Sequence, residues 1–342
     1  MDGSRPRGLL SVRRLTVDLE TKRGALSVVR GIDYDVDEGQ TIGIVGESGS
    51  GKTLSALALL SLHPAGVRYV TGGSATFDGR ELLGLPEERL SAVRGGSIGM
   101  VFQDPMAALN PVKKIGTQIA ESARLHLGLS DAAARDRARE LLEFVGIPGA
   151  RHRLDDYPHR FSGGMRQRVM IAIALAGQPR MLIADEPTTA LDVTIQAQIL
   201  DLLAHLRRDT GLSIVIITHD LGVLAAVADS VLVMYAGRIV ERGPTAKVMT
   251  APDHPYTAGL LASQPRLDVP RSARLTAIRG SPPSLDETTD GCAFAPRCDF
   301  VEERCIARVP DLEMVDRDHW SACVVHPFAA VPVPGHRDAT AS

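Results

Sequence analysis

The chain has 342 residues, 44% of them hydrophobic and 23% charged, with a formal net charge of −3. This allows one large domain with an appendage, or two domains, and the mildly acidic balance argues against a nucleic-acid protein relying on a broad basic face. No run approaches the roughly 18 apolar residues of a membrane span. Arg5, Arg7, Arg13 and Arg14 surround only Leu9-Leu10, too little for a signal peptide, so a cytosolic protein that meets a membrane only through a partner is expected.

Residues 9–40 alternate apolar and polar side chains (Leu15, Val17, Leu19, then Ile32, Tyr34, Val36), which predicts an antiparallel strand pair. Thr41 to Val45 reads as a buried strand and Leu54 to Leu60 as a helix. Residues 74–79 read as a short strand, and Ile98 to Phe102 as a buried strand that delivers Gln103. From 104 to 160 the pattern is helical. Ala134, Ala138, Leu141, Leu142 and Val145 share one face, and Gly146 then Pro148 end that helix. A helix over 164–176 leads to a strand at Met181–Ala184, and further buried strands follow at Ile214–Ile217 and Val231–Met234. Strands alternating with helices predict a mainly parallel α/β sheet. Beyond 250, Pro252, Pro255, Pro265, Pro270, Pro282 and Pro283 break regular structure, and all four cysteines follow. The expected division is 9–250, with an inserted helical subdomain at about 104–165, and a cysteine-bearing extension over 251–342.

Between the third predicted strand and its helix lies Gly46-Glu47-Ser48-Gly49-Ser50-Gly51-Lys52-Thr53. Strand, glycine-rich loop, Lys-Thr and helix is the context of a phosphate-binding loop. Its glycines let backbone N–H groups turn into a concave nest, and the helix start adds unpaired N–H groups. Lys52 suits the β- and γ-phosphates and Thr53 a Mg²⁺ ion. Only five lysines occur in the chain (22, 52, 113, 114 and 247), and one stands here. Downstream, Met181 to Ala184 ends in Asp185-Glu186: the first acid suits Mg²⁺, the second an attacking water. Ile214 to Ile217 ends in Thr218-His219, where a neutral imidazole can bond a γ-phosphate or the water.

Phe161-Ser162-Gly163-Gly164-Met165-Arg166-Gln167 is a second anion-binding helix start on the same chain. With it the sequence resembles the ATP-binding subunits of ABC transporters, in order through residues 46–53, Gln103, Ser162 to Gln167, Asp185-Glu186, Ala190-Leu191-Asp192 and His219, over roughly residues 9–245. The resemblance implies a RecA-like P-loop core with an antiparallel β edge, a helical subdomain that meets a transmembrane partner, and head-to-tail pairing of two ATPase subunits. It implies that Gly46, Ser48, Gly49, Ser50, Gly51 and Lys52 bind phosphate. Thr53 and Gln103 would ligate Mg²⁺, with Asp185 holding its shell. Glu186 would be the general base and His219 the γ-phosphate switch. Ser162, Gly163, Gly164 and Gln167, with Asp192, would belong to the ATP site, Ser162 and Gly164 contacting the partner's nucleotide. Phe161 departs from the family's usual Leu. Leu19 stands about where an aromatic would stack on adenine.

Gln103-Asp104-Pro105-Met106, Leu109-Asn110-Pro111 and Tyr157-Pro158-His159 resemble the oligopeptide/dipeptide importer branch, whose extension carries four cysteines. Here these are Cys292, Cys298, Cys305 and Cys323, spaced C-x5-C-x6-C-x17-C. Four thiols in a reducing compartment suit a [4Fe–4S] cluster or structural Zn²⁺, or stay unligated; His319-x3-Cys323 keeps zinc open. The branch implies two permease subunits, a second ATPase subunit that is a paralogue rather than an identical chain, an extracytoplasmic solute-binding protein, and a place on the cytoplasmic face of the membrane. Peptides lead as solute, with nickel, sugars or other small solutes open. A soluble ABC-type ATPase of ribosome or DNA is disfavoured by the single cassette and the absence of a heptad run. A GTPase is excluded: the only Asn is Asn110, followed by Pro111, so no Asn-Lys-x-Asp motif exists. Intact Glu186 and His219 argue against a catalytically dead paralogue.

Overall fold

The computed structural model describes residues 8–22, 24–64, 66–189, 191–263, 278–285, 287 and 290–328. Arg5, Arg7, Ala190, Pro265 and Pro270 lie outside these residues. The first elements are β1 (Leu10–Thr21), β2 (Gly24–Val36), β3 (Thr41–Val45), α1 (Lys52–Leu59), β4 (Tyr69–Phe77), β5 (Arg80–Glu81), α2 (Glu87–Val93) and β6 (Ile98–Val101). The alternating stretch folds as expected, β1 pairing antiparallel with β2, and it also pairs with β4. Val12, Leu15 and Val17 bury one face of this ribbon against Val29, Ile32 and Tyr34. With β5 these strands form a separate four-stranded sheet, order β2-β1-β4-β5.

The helical stretch comprises α3 (Pro105–Ala108), α4 (Ile115–Leu127), α5 (Asp131–Phe144), α6 (Ala150–Arg153) and α7 (Gly163–Leu175). Ser130 caps α5 by accepting the Ala133 N–H, and Ala134, Ala138, Leu141 and Leu142 are its buried residues. Gly146 (φ +73°) closes the turn beyond it. Phe102, read as part of a buried strand, instead lies past the end of β6 and is 38% exposed. The parallel ladder of β6 with β7 ends at Val101↔Ala184.

The rest of the chain supplies β7 (Met181–Asp185), α8 (Val193–Thr210), β8 (Ser213–Thr218), α9 (Leu221–Val227), β9 (Ser230–Tyr235), β10 (Arg238–Pro244), α10 (Thr245–Thr250), α11 (Pro255–Ala262), α12 (Glu303–Ala307), β11 (Glu313–Asp316) and β12 (His319–Ser321). The main sheet has the order β11-β12-β10-β9-β3-β8-β7-β6. Strands β9, β3, β8, β7 and β6 are mutually parallel, while β10, β12 and β11 continue antiparallel beyond β9. Every residue of β3, β7 and β8 is buried, as continuous aliphatic runs in a covered parallel sheet must be. Parallel pairing puts the carboxyl ends of β3, β8, β7 and β6 on one edge, and those ends carry Gly46, His219, Asp185-Glu186 and Gln103. Ligands of open α/β sheets bind at that edge.

The proline-rich tail is more regular than its composition suggests. Its hairpin β11–β12 extends the main sheet, and Tyr256 and Phe294 enter the core. Their rings meet Tyr235 at centroid distances of 4.6 and 5.4 Å. Glu241, fully buried on β10, accepts the N–H groups of Asp253 and His254 and bonds His319 Nε2 at 2.7 Å. A buried carboxylate needs such partners, and they tie the tail to the sheet.

Candidate functional site

The loop 46–51 leaves β3 and turns directly into α1, with Gly51 (φ +97°) at the N-cap. Only glycine fits there: a Cβ would lie 2.8 Å from the Val28 carbonyl oxygen, besides the cost of that φ. On Gly46 a Cβ would collide with the Met234 carbonyl oxygen. Inside the loop, Lys52 is 5% exposed, and its ammonium donates to the Gly46 and Glu47 carbonyls at 2.7 and 2.9 Å. Burial lowers the Lys52 pKa, while Glu186, Asp185 and Glu47 oppose that fall. Ser50 Oγ is buried with no hydrogen-bond partner among the described residues. A buried ammonium, an orphaned hydroxyl and the N–H groups of a helix start describe an anion nest.

The acidic edge sits beside it. Thr53 Oγ1 donates to Asp185 Oδ1 at 3.1 Å. Burial pushes the Asp185 pKa up to about 6 and the charge of Glu186 adds to the rise, while the Thr53 hydroxyl and the Lys52 ammonium oppose it. A hydroxyl and a buried carboxylate are hard oxygen donors, and this pair fits Mg²⁺ in kind. Gln103 is turned elsewhere: its Nε2 donates to Glu186 Oε2 at 3.0 Å. Thr189 Oγ1 donates to the same oxygen at 2.7 Å, and His219 Nδ1 lies 3.4 Å from Oε1. Glu186 adopts φ +46°, a left-handed conformation costly for a glutamate, and its N–H is held by the Ile217 carbonyl at 2.8 Å. The backbone is thus bent to aim a carboxylate, bracketed by an amide, a hydroxyl and an imidazole, out of the β7 edge. Such a group can orient and deprotonate a water.

The signature stretch is not part of that cluster. Ser162 is the N-cap of α7, its Oγ accepting the Met165 N–H at 3.4 Å, and Gly163 and Gly164 form the first turn. Gly164 packs so closely on Ile195 that a Cβ would fall 2.6 Å from its Cγ2. Gln167 is buried, with Nε2 unpartnered among the described residues. Asp192 caps α8 by accepting the Ile195 N–H at 3.0 Å. Among the described residues, no hydrogen bond joins residues 162–167 or Asp192 to the phosphate loop. Leu19 packs against the β-ribbon core. The aromatic paired with it across β1–β4, Tyr69, is buried and stacked on His63 at 4.1 Å, so it offers no ring to an adenine.

The four cysteines converge only partly. Cys305 is buried and the others half-buried, all as free thiols. The Cys292 N–H donates to the Cys305 carbonyl at 2.7 Å. Cys298 Sγ accepts the Phe300 N–H and Cys305 Sγ the Glu302 N–H, each at 3.4 Å. Burial raises the thiol pKa of Cys292 and Cys323, and pushes Cys298 up to about 11; charge on the other thiols adds to each rise. The sulfurs thus share one neighbourhood. Among the described residues, however, no group of three or more His, Cys, Asp or Glu side chains is placed to hold a metal ion. The expected iron–sulfur or zinc site is thus seen only as four neighbouring free thiols. His319, named for the zinc alternative, bonds buried Glu241 through Nε2.

Sequence reasoning missed three participants. Thr189, three residues past Glu186, was findable from its spacing across the turn. Tyr256 and Arg297, both bonded to Glu47, carried no local signal.

Fold and site together define a P-loop nucleoside triphosphatase. The family model for ABC transporters matches residues 29–189, and that for the oligopeptide/dipeptide transporter C-terminal region matches 240–305. The chain is 48% identical to the oligopeptide transport ATP-binding protein OppD of Bacillus subtilis, covering 94% of this chain and 90% of that one. It is also 48% identical to a putative peptide import ATP-binding protein of Brucella melitensis, covering 92% and 96%. Among solved structures, a dimeric post-hydrolysis state of the ATP-binding cassette MJ0796 with ADP and Pi is similar, with TM-score 0.61, 26% identity and coverage of 69% of this chain and 98% of that one. The chain belongs to the ATP-binding subunits of ABC transporters, in their oligopeptide/dipeptide group. It is an ATPase with the motor role of that family. Among the described residues no helix is long and apolar enough to cross a membrane.

Proposed function

We propose that this chain powers import of di- or oligopeptides from the cytoplasmic face of the cell membrane. It would sit on two permease subunits beside a paralogous ATPase subunit, with an extracytoplasmic binding protein presenting the solute. The peptide class rests on the relatives, which are named for peptide transport. The observation that carries the paired arrangement is the separation of two anion sites: the Ser162 helix start has no hydrogen bond to its own phosphate loop among the described residues. A second subunit would bring Ser162, Gly163, Gly164 and Gln167 over the ATP held by Gly46 to Lys52, and Asp192 would hold that helix pair in place. We read residues 9–250 as the nucleotide-binding domain, with the helical subdomain at about 104–165, and 251–342 as the extension.

Within the site, Lys52 would exchange its carbonyl partners for phosphate oxygens, which give stronger charge-assisted bonds. Thr53 and Asp185, with Gln103 swung from Glu186, would hold Mg²⁺. Mg²⁺ when bound neutralises charge on the phosphates. Glu186 takes a proton from the attacking water, while Thr189 fixes its carboxylate. His219, beside Glu186 and 59% exposed at its side chain, would reach the γ-phosphate. The test is reconstitution with the permease subunits and binding protein in liposomes. A di- or oligopeptide should raise ATP hydrolysis several-fold and accumulate only with ATP. Stimulation by nickel or a sugar but not by peptide would overturn the solute class.

The finer reading of the thiol pocket is a [4Fe–4S] cluster, with Zn²⁺ as the alternative. Four neighbouring thiols and N–H···S bonds of the kind that support thiolate ligands favour it. Protein purified without oxygen should contain iron and acid-labile sulfide and absorb broadly in the visible. Colourless, zinc-bearing protein would assign zinc instead, and metal-free protein would leave the pocket as thiols.

A further inference from the structure

Arg297 lies between Cys292 and Cys298 in the chain, yet its side chain ends at the phosphate loop. Its two terminal nitrogens grip the Glu47 carboxylate as a fork, Nη1 to Oε2 at 2.6 Å and Nη2 to Oε1 at 2.9 Å. Nη1 also reaches Tyr235 Oη at 3.2 Å, and Nε donates to the Arg279 carbonyl at 2.8 Å. The side chain is 5% exposed and that of Glu47 25%. The backbone of Glu47 is held from the same side, its N–H donating to Tyr256 Oη at 2.7 Å. Its carbonyl in turn receives Lys52 Nζ and the Ser50 N–H. An unbroken run of contacts therefore joins the four-thiol pocket to the lysine of the nest.

Charge gives this run a consequence. Glu47 puts a carboxylate in a loop whose ligand is a polyanion, and unpaired it would repel that ligand. A bidentate guanidinium, largely shielded from water, neutralises it and fixes its direction, as a lysine in the same place would not. We propose that Arg297 is a positioning residue for the phosphate loop, and that through the Arg297–Glu47 fork the cysteine-bearing extension and the nucleotide site are energetically coupled. This rests on the reading of residues 46–53 as the ATP site. Coupling is reciprocal: if the extension favours nucleotide binding, bound nucleotide steadies the extension equally.

The test uses the full chain with Mg²⁺ and adenylyl imidodiphosphate, a non-hydrolysable ATP analogue. Arg297→Gln should weaken binding by about 5- to 30-fold, within the usual span of such coupling. Arg297→Lys, which keeps the charge but not the fork, should lose less, and it serves if the Gln variant folds poorly. Adding Glu47→Gln to Arg297→Gln removes both charges and should recover most of the affinity, which a merely structural role would not do. Backbone hydrogen exchange over 292–305 should slow when nucleotide binds the wild type, and not in Arg297→Gln. Wild-type affinity in Arg297→Gln, or a loss that Glu47→Gln leaves in place, overturns the proposal. A wild-type chain that binds no nucleotide refutes the ATP site itself, and that shows before any variant is made.

Discussion

Glu186→Gln binds ATP, hydrolyses it about 10²- to 10⁴-fold more slowly, the usual worth of a positioned general base, and accumulates as a nucleotide-bound dimer with its partner subunit. The substitution is nearly isosteric. A glutamine can keep one oxygen toward Thr189 Oγ1, now 2.7 Å from Oε2, and the strained φ of +46° need not change. What it lacks is a basic oxygen pair facing the water. Binding should survive because the groups that face phosphate, Lys52 and the loop amides, are untouched. Closure follows binding and reopening follows hydrolysis, so blocking the chemical step holds the closed pair. Size-exclusion chromatography with ATP and a phosphate-release assay read both effects. Hydrolysis at the wild-type rate would remove Glu186 as the base.

Lys52→Ala should cost at least roughly 30-fold in ATP affinity, since truncating one partner of a desolvated charge pair costs about 2–5 kcal/mol. The ammonium is 5% exposed and bonded to two carbonyls, so it is already aimed and stripped of water. Without it the amides of the nest face the triphosphate alone. The nucleotide-free fold should be little disturbed, because burial already works against the charge on Lys52. In a thermal melt the variant should therefore unfold near the wild-type temperature, and the rise that ATP gives the wild type should vanish. Unchanged affinity would refute the assignment of the loop.

Much of this was legible from local pattern. The loop 46–53 is legible because a phosphate nest is made by consecutive backbone groups, so its demands fall on consecutive residues. The buried strands are legible because a covered parallel strand must be apolar throughout, as Met181 to Ala184 and Ile214 to Ile217 are. Asp185, Glu186 and His219 stand at the ends of such strands, where parallel pairing aligns them on one edge. Phe102 misled because an apolar residue beyond the last ladder bond looks the same in sequence as one within it.

Other features were decided only in three dimensions. Gln103 meets Glu186 across 83 positions, and Arg297 meets Glu47 across 250. No periodicity or spacing encodes such pairs, because they depend on how the sheet edge and the tail come together. The same holds for Glu241, buried on β10, which meets His319 across 78 positions. Four cysteines in sequence establish the ligand type available, but whether their sulfurs converge depends on backbone directions in a segment that packs on Tyr235 and Tyr256. Sequence alone therefore determined the class of protein and put forward the chemistry of its nucleotide site. Tertiary structure decided which side chains brace that chemistry, because bracing is done by long-range contacts between elements whose own residues are ordinary.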